Sequence, residues 1–360
     1  MSSTSLLRDP YMTPAHPDGG VGVSTNPAHR IRIRHPGYED RNNVIMVLQA
    51  PDVPGGGIDY GTARIGCAIV ANNRWDGFLT ASRNGPEIDT VRNEVLPCGD
   101  YYFSVPQTEN GKQQFSPLFS DWSFPHNDLP ENWRSVQIKE HTRSSSVVST
   151  VVKIRDTACR LTGCTEGVEL AHVCPQSVND WFHKNRMDDY ILSPRRSGSS
   201  AIDDASNVML LRSDIHKAFD AVKIALVPKA SSSGSYVMVA HILELSPELV
   251  ALYHNVPLQP LKGLSVEFLF ARFAWSMFSF VEGFLQARTE RVLCVSIRDA
   301  RPVIRDFSGD ECLSFTRSKP SRSQSPKKRE RSDADADADA DAGVDEDCNS
   351  SFREHKRRRS

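Results

Sequence analysis

The stretch "VEFLFARFAWSMFSFVEGFL" (Val266 to Leu285) constrains this chain more than any other, because it is the richest apolar run and something must cover it. Glu267, Arg272, Ser276, Ser279 and Glu282 interrupt it, so no unbroken run reaches the roughly eighteen residues that a membrane span needs. The pattern is that of a core helix, and a core helix needs partners elsewhere in the chain. With 360 residues, 39% of them hydrophobic, the chain is long enough for two modest domains to provide them. The helix is expected to pack across both.

Residues 1–27, rich in Pro, Gly, Ser and Thr, read as a flexible leader without the basic start and apolar core of a secretory signal. From 28 to 105, β-prone runs such as "RIRIRH", "NNVIMVLQAP", "ARIGCAIVAN" and "DYYFSV" alternate with turn residues, which predicts a β-rich module. A connector at 106–150 carries Trp122, Phe124 and Trp133 among prolines. Residues 151–230 hold every residue with chemical promise, and 231–305 read as helical. The tail, 306–360, is expected to be disordered, because it is dense in charge and poor in apolar residues.

The formal net charge of −2 hides an asymmetry within that tail. Five Asp-Ala dipeptides (Asp333 to Ala342) separate the basic clusters "PKKRER" (Pro326 to Arg331) and "KRRR" (Lys356 to Arg359). Such clusters suit nuclear import or nucleic-acid contact, although a plain solvated charge run has the same composition. Eight cysteines, at 67, 98, 159, 164, 174, 294, 312 and 348, form no regular framework. They read as reduced thiols of a nuclear or cytoplasmic protein that is not secreted.

Within "NVMLLRSDIHKAFD", His216 and Asp220 stand four residues apart, on one face of any helix that starts near Ser213. That is a metal-ligand spacing. It is equally the pattern of a solvated pair on a surface helix capped by Ser213, with Ile215, Ala218 and Phe219 as the buried stripe. Upstream, "CRLTGCTEGVELAHVCPQS" contains a short strand, "VELAHV", with Glu169 and Ala171 on one face and Leu170 and His172 on the other. His172 is either a functional group or a satisfied structural histidine. Cys159, Cys164 and Cys174 lack the second Cys-x-x-Cys pair of a closed zinc site and read as buried thiols.

Taken in order, "CRLTG", "VELAHVCP", Asn207 and "LLRSDIHKAFD" resemble the HNH endonucleases of the ββα-metal fold, in particular the branch common among fungal HNH nuclease domain-containing proteins. The motifs cover about residues 155–228, with weaker likeness through "FPHNDLPENW" and "FLFARFAWSMF". The resemblance implies an α+β protein: a β-rich N-terminal module, a ββα-metal HNH core, a helical C-terminal region and a disordered charged tail. It implies that His172 is the general base, that His216 and Asp220 bind a divalent metal ion (Mg, Mn or Zn), and that Asn207 braces the loop holding His172.

Two departures from the pattern stand out. Ala171 occupies the place before the base where many relatives have a metal-binding Asp or His, which leaves water and phosphate oxygens, or Glu169 if the strand bends, to complete the coordination. The long gap between His172 and Asn207 reads as an insertion, in which Trp181 and Phe182 form a small satellite core. Its Lys184, Arg186, Arg195 and Arg196 are expected phosphate contacts, unless the insertion is simply exposed and polar. The expected function is metal-dependent hydrolysis of phosphodiesters in nucleic acid, with DNA as substrate and no membrane partner. The alternatives are a catalytically inactive HNH-fold nucleic-acid-binding or scaffold protein, which Ala171 permits, and a protein-interaction module.

Overall fold

The sequence RIRIR alternates charged and branched apolar residues, as a strand with one covered face requires. In the computed structural model, which describes residues 23–89, 94–106, 113–141, 147–192, 200–231, 233–244, 246–296 and 302–317, it forms β1 (Arg30–Arg34), with Ile31 and Ile33 fully buried. β2 (Val44–Gln49) pairs antiparallel with β1, and β3 (Gly57–Asp59) leads into α1 (Tyr60–Val70). β4 (Phe78–Thr80), β5 (Val95–Pro97) and β6 (Gly99–Ser104) complete the module. The resulting four-stranded sheet has the order β2-β1-β6-β4, while β3 pairs with β5.

The run "ARIGCAIVAN" departs from expectation, because most of it lies in helix α1 rather than in a strand. Nearly every face of α1 is buried, so its apolar residues follow no single period and cannot be told from a buried strand by pattern. Asp59 sets the start: its Oδ2 accepts from the Thr62 backbone N at 2.6 Å and from Thr62 Oγ1 at 2.7 Å.

Beyond the connector helix α2 (Glu131–Arg134) come α3 (Val148–Asp156), β7 (Val168–His172), α4 (Asn179–Lys184), β8 (Val208–Arg212) and α5 (Ser213–Asp220). β9 (Ile224–Ala230) and β10 (Tyr236–Ile242) form an antiparallel hairpin, followed by α6 (Pro247–Tyr253), α7 (Val266–Phe278) and α8 (Glu282–Gln286). The last pieces are β11 (Arg291–Val295), paired antiparallel with β12 (Val303–Phe307), and α9 (Gly309–Arg317). The architecture is α+β. The region 231–305, expected to be helical, therefore also holds β10, β11 and most of β12. The fold continues past residue 306, with Phe307 and Cys312 buried; residues 318–360 and the leader's 1–22 lie outside the described residues.

Val266–Gln286 is apolar and long enough to cross a membrane, but 72% of its most apolar window is buried inside the fold. α7 packs against α1, α2 and β9, so it joins the N-terminal module to the segment that follows. Where α1 and α7 meet, a Cβ on Gly66 would lie 2.8 Å from Met277 Sδ, so a larger residue there would displace the methionine side chain. The connector is fastened by its aromatics: Trp133 packs on Phe270 and Phe273 at 5.0 and 5.6 Å between ring centroids. Trp122 stacks on Trp181 at 5.5 Å, and Trp181 Nε1 donates to the Trp122 carbonyl at 2.7 Å. Trp181 and Phe182 thus belong to the main core and not to a satellite, because the connector's rings supply the apolar surface they need.

Candidate active site

β7 and β8 pair antiparallel, with Glu169 opposite Leu211 and His172 opposite Val208. α5 begins directly after β8 and packs against both strands. Ile215 and Phe219 bury one stripe of α5, as its pattern demands. The helix starts at Ser213 itself, with Arg212 in the capping position, so Ser213 is not the N-cap; Arg212 instead grips Asp214 with two hydrogen bonds of 2.7 Å.

His216 and Asp220 come together one turn apart, with Nε2 3.4 Å from Asp220 Oδ2. Their side chains are only 12% and 17% exposed, which rules against a solvated surface pair. Glu169 reaches across from β7 without any bend in the strand and places Oε2 2.9 Å from His216 Nδ1. Each ring nitrogen of His216 therefore faces a carboxylate. Ala171, two residues on, is fully buried in the core and offers this cluster no polar atom.

His172 ends β7, and its Nε2 lies 3.0 Å from Asp203 Oδ1. Burial lowers the His172 pKa below the ordinary histidine value; the neighbouring Asp203 opposes that, and the charges of His216 and Asp220 also reach the ring. The four side chains thus belong to one electrostatic environment. Asp203 Oδ1 also accepts from Gln176 Nε2 at 2.6 Å, which fixes the carboxylate. An ionised carboxylate can only accept, so the neutral ring carries its proton on Nε2 and leaves Nδ1 with a free lone pair.

Asn207 is completely buried, and its amide joins two chain segments. Oδ1 accepts from the Cys174 backbone N at 2.7 Å, while Nδ2 donates to the Cys174 and Ile202 carbonyls at 3.0 and 2.8 Å. Cys174 follows His172 by two residues and Ile202 directly precedes Asp203, so one amide holds both members of the His172–Asp203 pair. Beneath it, Arg155 and Asp156 form a buried ion pair; Arg155 donates to the Ala205 and Val208 carbonyls and Asp156 accepts from the Leu210 N. This pair ties α3 to β8.

The expected phosphate contacts are not drawn to this cluster. Lys184 donates to Ser296 Oγ, and Arg186 pairs with Asp189 at 3.8 Å. Arg195 and Arg196 lie outside the described residues. The described cysteines are all free thiols.

Asp203 and Gln176 carried no sequence signal of their own. Asp203 stands beside Asp204, whose carboxylate instead accepts from Ser206 N and Oγ, and nothing in "IDDAS" tells the two apart. Among the described residues a second cluster, Asp52, His241 and His254, also has metal-like spacing. Lys229 already fills it: Nζ donates to Asp52 Oδ1 at 2.5 Å, Asn255 Oδ1 at 2.8 Å and His241 Nδ1 at 3.2 Å. Three N–H donors meet three acceptors, two of them members of the cluster, so the ammonium already supplies a positive charge there.

No curated protein and no solved structure matches the chain. The model of the HNH endonuclease family matches residues 159–227, a span that contains Glu169, His172, Asp203, Asn207, His216 and Asp220. Residues 159–227 of this chain carry an HNH endonuclease domain.

Proposed function

We propose that this domain is a metal-dependent endonuclease of the ββα-metal kind, with β7, β8 and α5 as its ββα unit, that hydrolyses phosphodiester bonds in DNA. The observation that carries the reading is a neutral, carboxylate-held His172 whose ring feels the charges of the close His216–Asp220 pair. The donors fit a divalent cation. Two donors each about 2.1 Å from a shared tetrahedral ion stand about 3.4 Å apart, which is the separation of His216 Nε2 and Asp220 Oδ2. Glu169 then serves best as the carboxylate that accepts the Nδ1–H of His216, fixing its ring and tautomer, and less well as a direct ligand. Mg²⁺, Mn²⁺ and Zn²⁺ are the candidate ions; the imidazole donor favours Zn²⁺, while the carboxylate suits Mg²⁺ and Mn²⁺.

The chain's own residues divide the work. His172 Nδ1 takes a proton from the attacking water while Asp203 stabilises the imidazolium that results. Asn207 keeps both in register, and His216 and Asp220 hold the cation. Such a cation supplies positive charge to the developing phosphorane oxygens and the leaving oxygen. Lys184, Arg186, Arg195 and Arg196 remain the proposed backbone contacts to DNA, and the clusters Pro326 to Arg331 and Lys356 to Arg359 support nuclear import.

The test is to incubate purified protein with supercoiled plasmid and each of the three ions, beside His172→Ala and a gel-shift assay at one salt concentration. Metal-dependent nicking in wild type, reduced about a hundredfold or more by His172→Ala with DNA affinity retained, is the expected result. The buried Ala171 favours a second reading, an inactive DNA-binding domain with too few protein ligands. DNA binding without cleavage under any ion would establish that reading instead.

A further inference from the structure

The guanidinium of Arg272, on α7 and outside the matched segment, is buried against the end of α5 with 1% of the residue exposed. Its Nη2 donates to the Phe219 carbonyl, the residue before Asp220. Its Cζ lies 3.8 Å from the Phe219 ring centroid and 4.5 Å from that of Trp275, while Nε and Nη1 have no hydrogen-bond partner. Burial disfavours its charge, and the Asp220 carboxylate opposes that penalty. A cation held in so dry a place, with two of its nitrogens unpaired, is a costly way to fill a core position. An apolar side chain of similar length would fill the volume without that cost.

We propose that Arg272 is a positioning residue for the cation site: it clamps the last turn of α5 through the Phe219 carbonyl and so holds Asp220, the next residue, in orientation as a ligand. The proposal rests on the reading of His216 and Asp220 as the cation ligands. The same guanidinium caps the negative end of the α5 dipole. α7, which also packs against α1, thereby links the site to the N-terminal module.

Wild type, Arg272→Met, Arg272→Lys and His216→Ala would be compared by thermal melting, Mn²⁺ calorimetry and plasmid nicking. Arg272→Met should melt at or above the wild-type temperature, yet bind Mn²⁺ about ten- to a hundredfold more weakly. Its kcat should fall while KM for DNA stays unchanged, a split that a purely structural role would not produce. Arg272→Lys keeps the charge but loses the planar fork and ring stacking, so its Mn²⁺ affinity should fall between the two. Should Arg272→Met fail to fold, the lysine variant decides alone. Mn²⁺ affinity and kcat within twofold of wild type in a folded variant would overturn the proposal and leave the cation site standing. Wild type that binds no Mn²⁺ in a His216-dependent way would overturn the cation site and this proposal with it.

Discussion

His172 Nε2 stands 3.0 Å from Asp203 Oδ1, and one buried amide, that of Asn207, fixes the chain beside both residues. The pairing matters because it decides which ring nitrogen is free. With the proton on Nε2, the basic lone pair sits on Nδ1, and burial keeps the ring neutral to lower pH than an ordinary histidine.

Asp203→Asn should slow cleavage about ten- to a hundredfold, because an amide can donate as well as accept and no longer enforces the tautomer. Burial sets the His172 pKa below the usual 6.5 and Asp203 pulls it partly back. The acid limb of the single-turnover rate should therefore lie below about pH 6.5 in wild type and shift lower still in the variant. A limb at or above 6.5 in wild type would show that His172 is not the group being titrated.

Asn207→Ala should cost about 2–4 kcal/mol of folding stability, since it leaves the Cys174 N and O and the Ile202 O buried without their partner. Urea denaturation measures it. Cleavage should be lost even at temperatures where the variant is folded, because the His172 and Asp203 segments are no longer held together. Wild-type rates in the folded variant would reduce Asn207 to a stability residue.

The site's local pairings were legible in the sequence wherever short-range geometry dictates them. The i,i+4 spacing of His216 and Asp220 survives into a close pair because α5 keeps its helical period, and a solvated reading fails only because β7 covers the helix face. What the sequence could not supply were contacts set by the fold at long range. Asp203 is 31 positions from His172, and a stretch rich in Asp and Ser gives no period to say which carboxylate turns inward. Arg272 read as an interruption in a core helix, although the structure buries it against α5. The sequence of α1 reads as a strand because burial on nearly all sides erases the very alternation that separates the two. Trp181 looked like part of an exposed insertion until Trp122, from the connector, supplied its stacking partner.

Lys229 and Asp52 are 177 positions apart, and their contact pins the N-terminal module to the hairpin that follows the HNH motif. Burial by itself would raise the Asp52 carboxyl, but Lys229 and His254 outweigh it and hold the group well below the usual carboxylate range; burial and Lys229 together push His241 well below the usual histidine value. Lys229→Met should destabilise the protein by about 3–5 kcal/mol, because it strands a buried carboxylate without its cation. The sign of the pH dependence follows from the depressed carboxyl. Its contribution is complete above the unfolded value of about 3.9 and is lost as pH falls through the folded value, so the gap between wild type and variant should be widest near neutrality and close in acid. In wild type, His241 and His172 both have lowered values, so unfolding takes up protons and stability should begin to fall once the pH drops below about 6.5. Urea denaturation of both proteins from pH 7 down to pH 3 reads all of these effects. A gap that stays constant across that range would mean that Lys229 and Asp52 do not act as a charged pair, and that the cage around Lys229 owes its stability to packing alone.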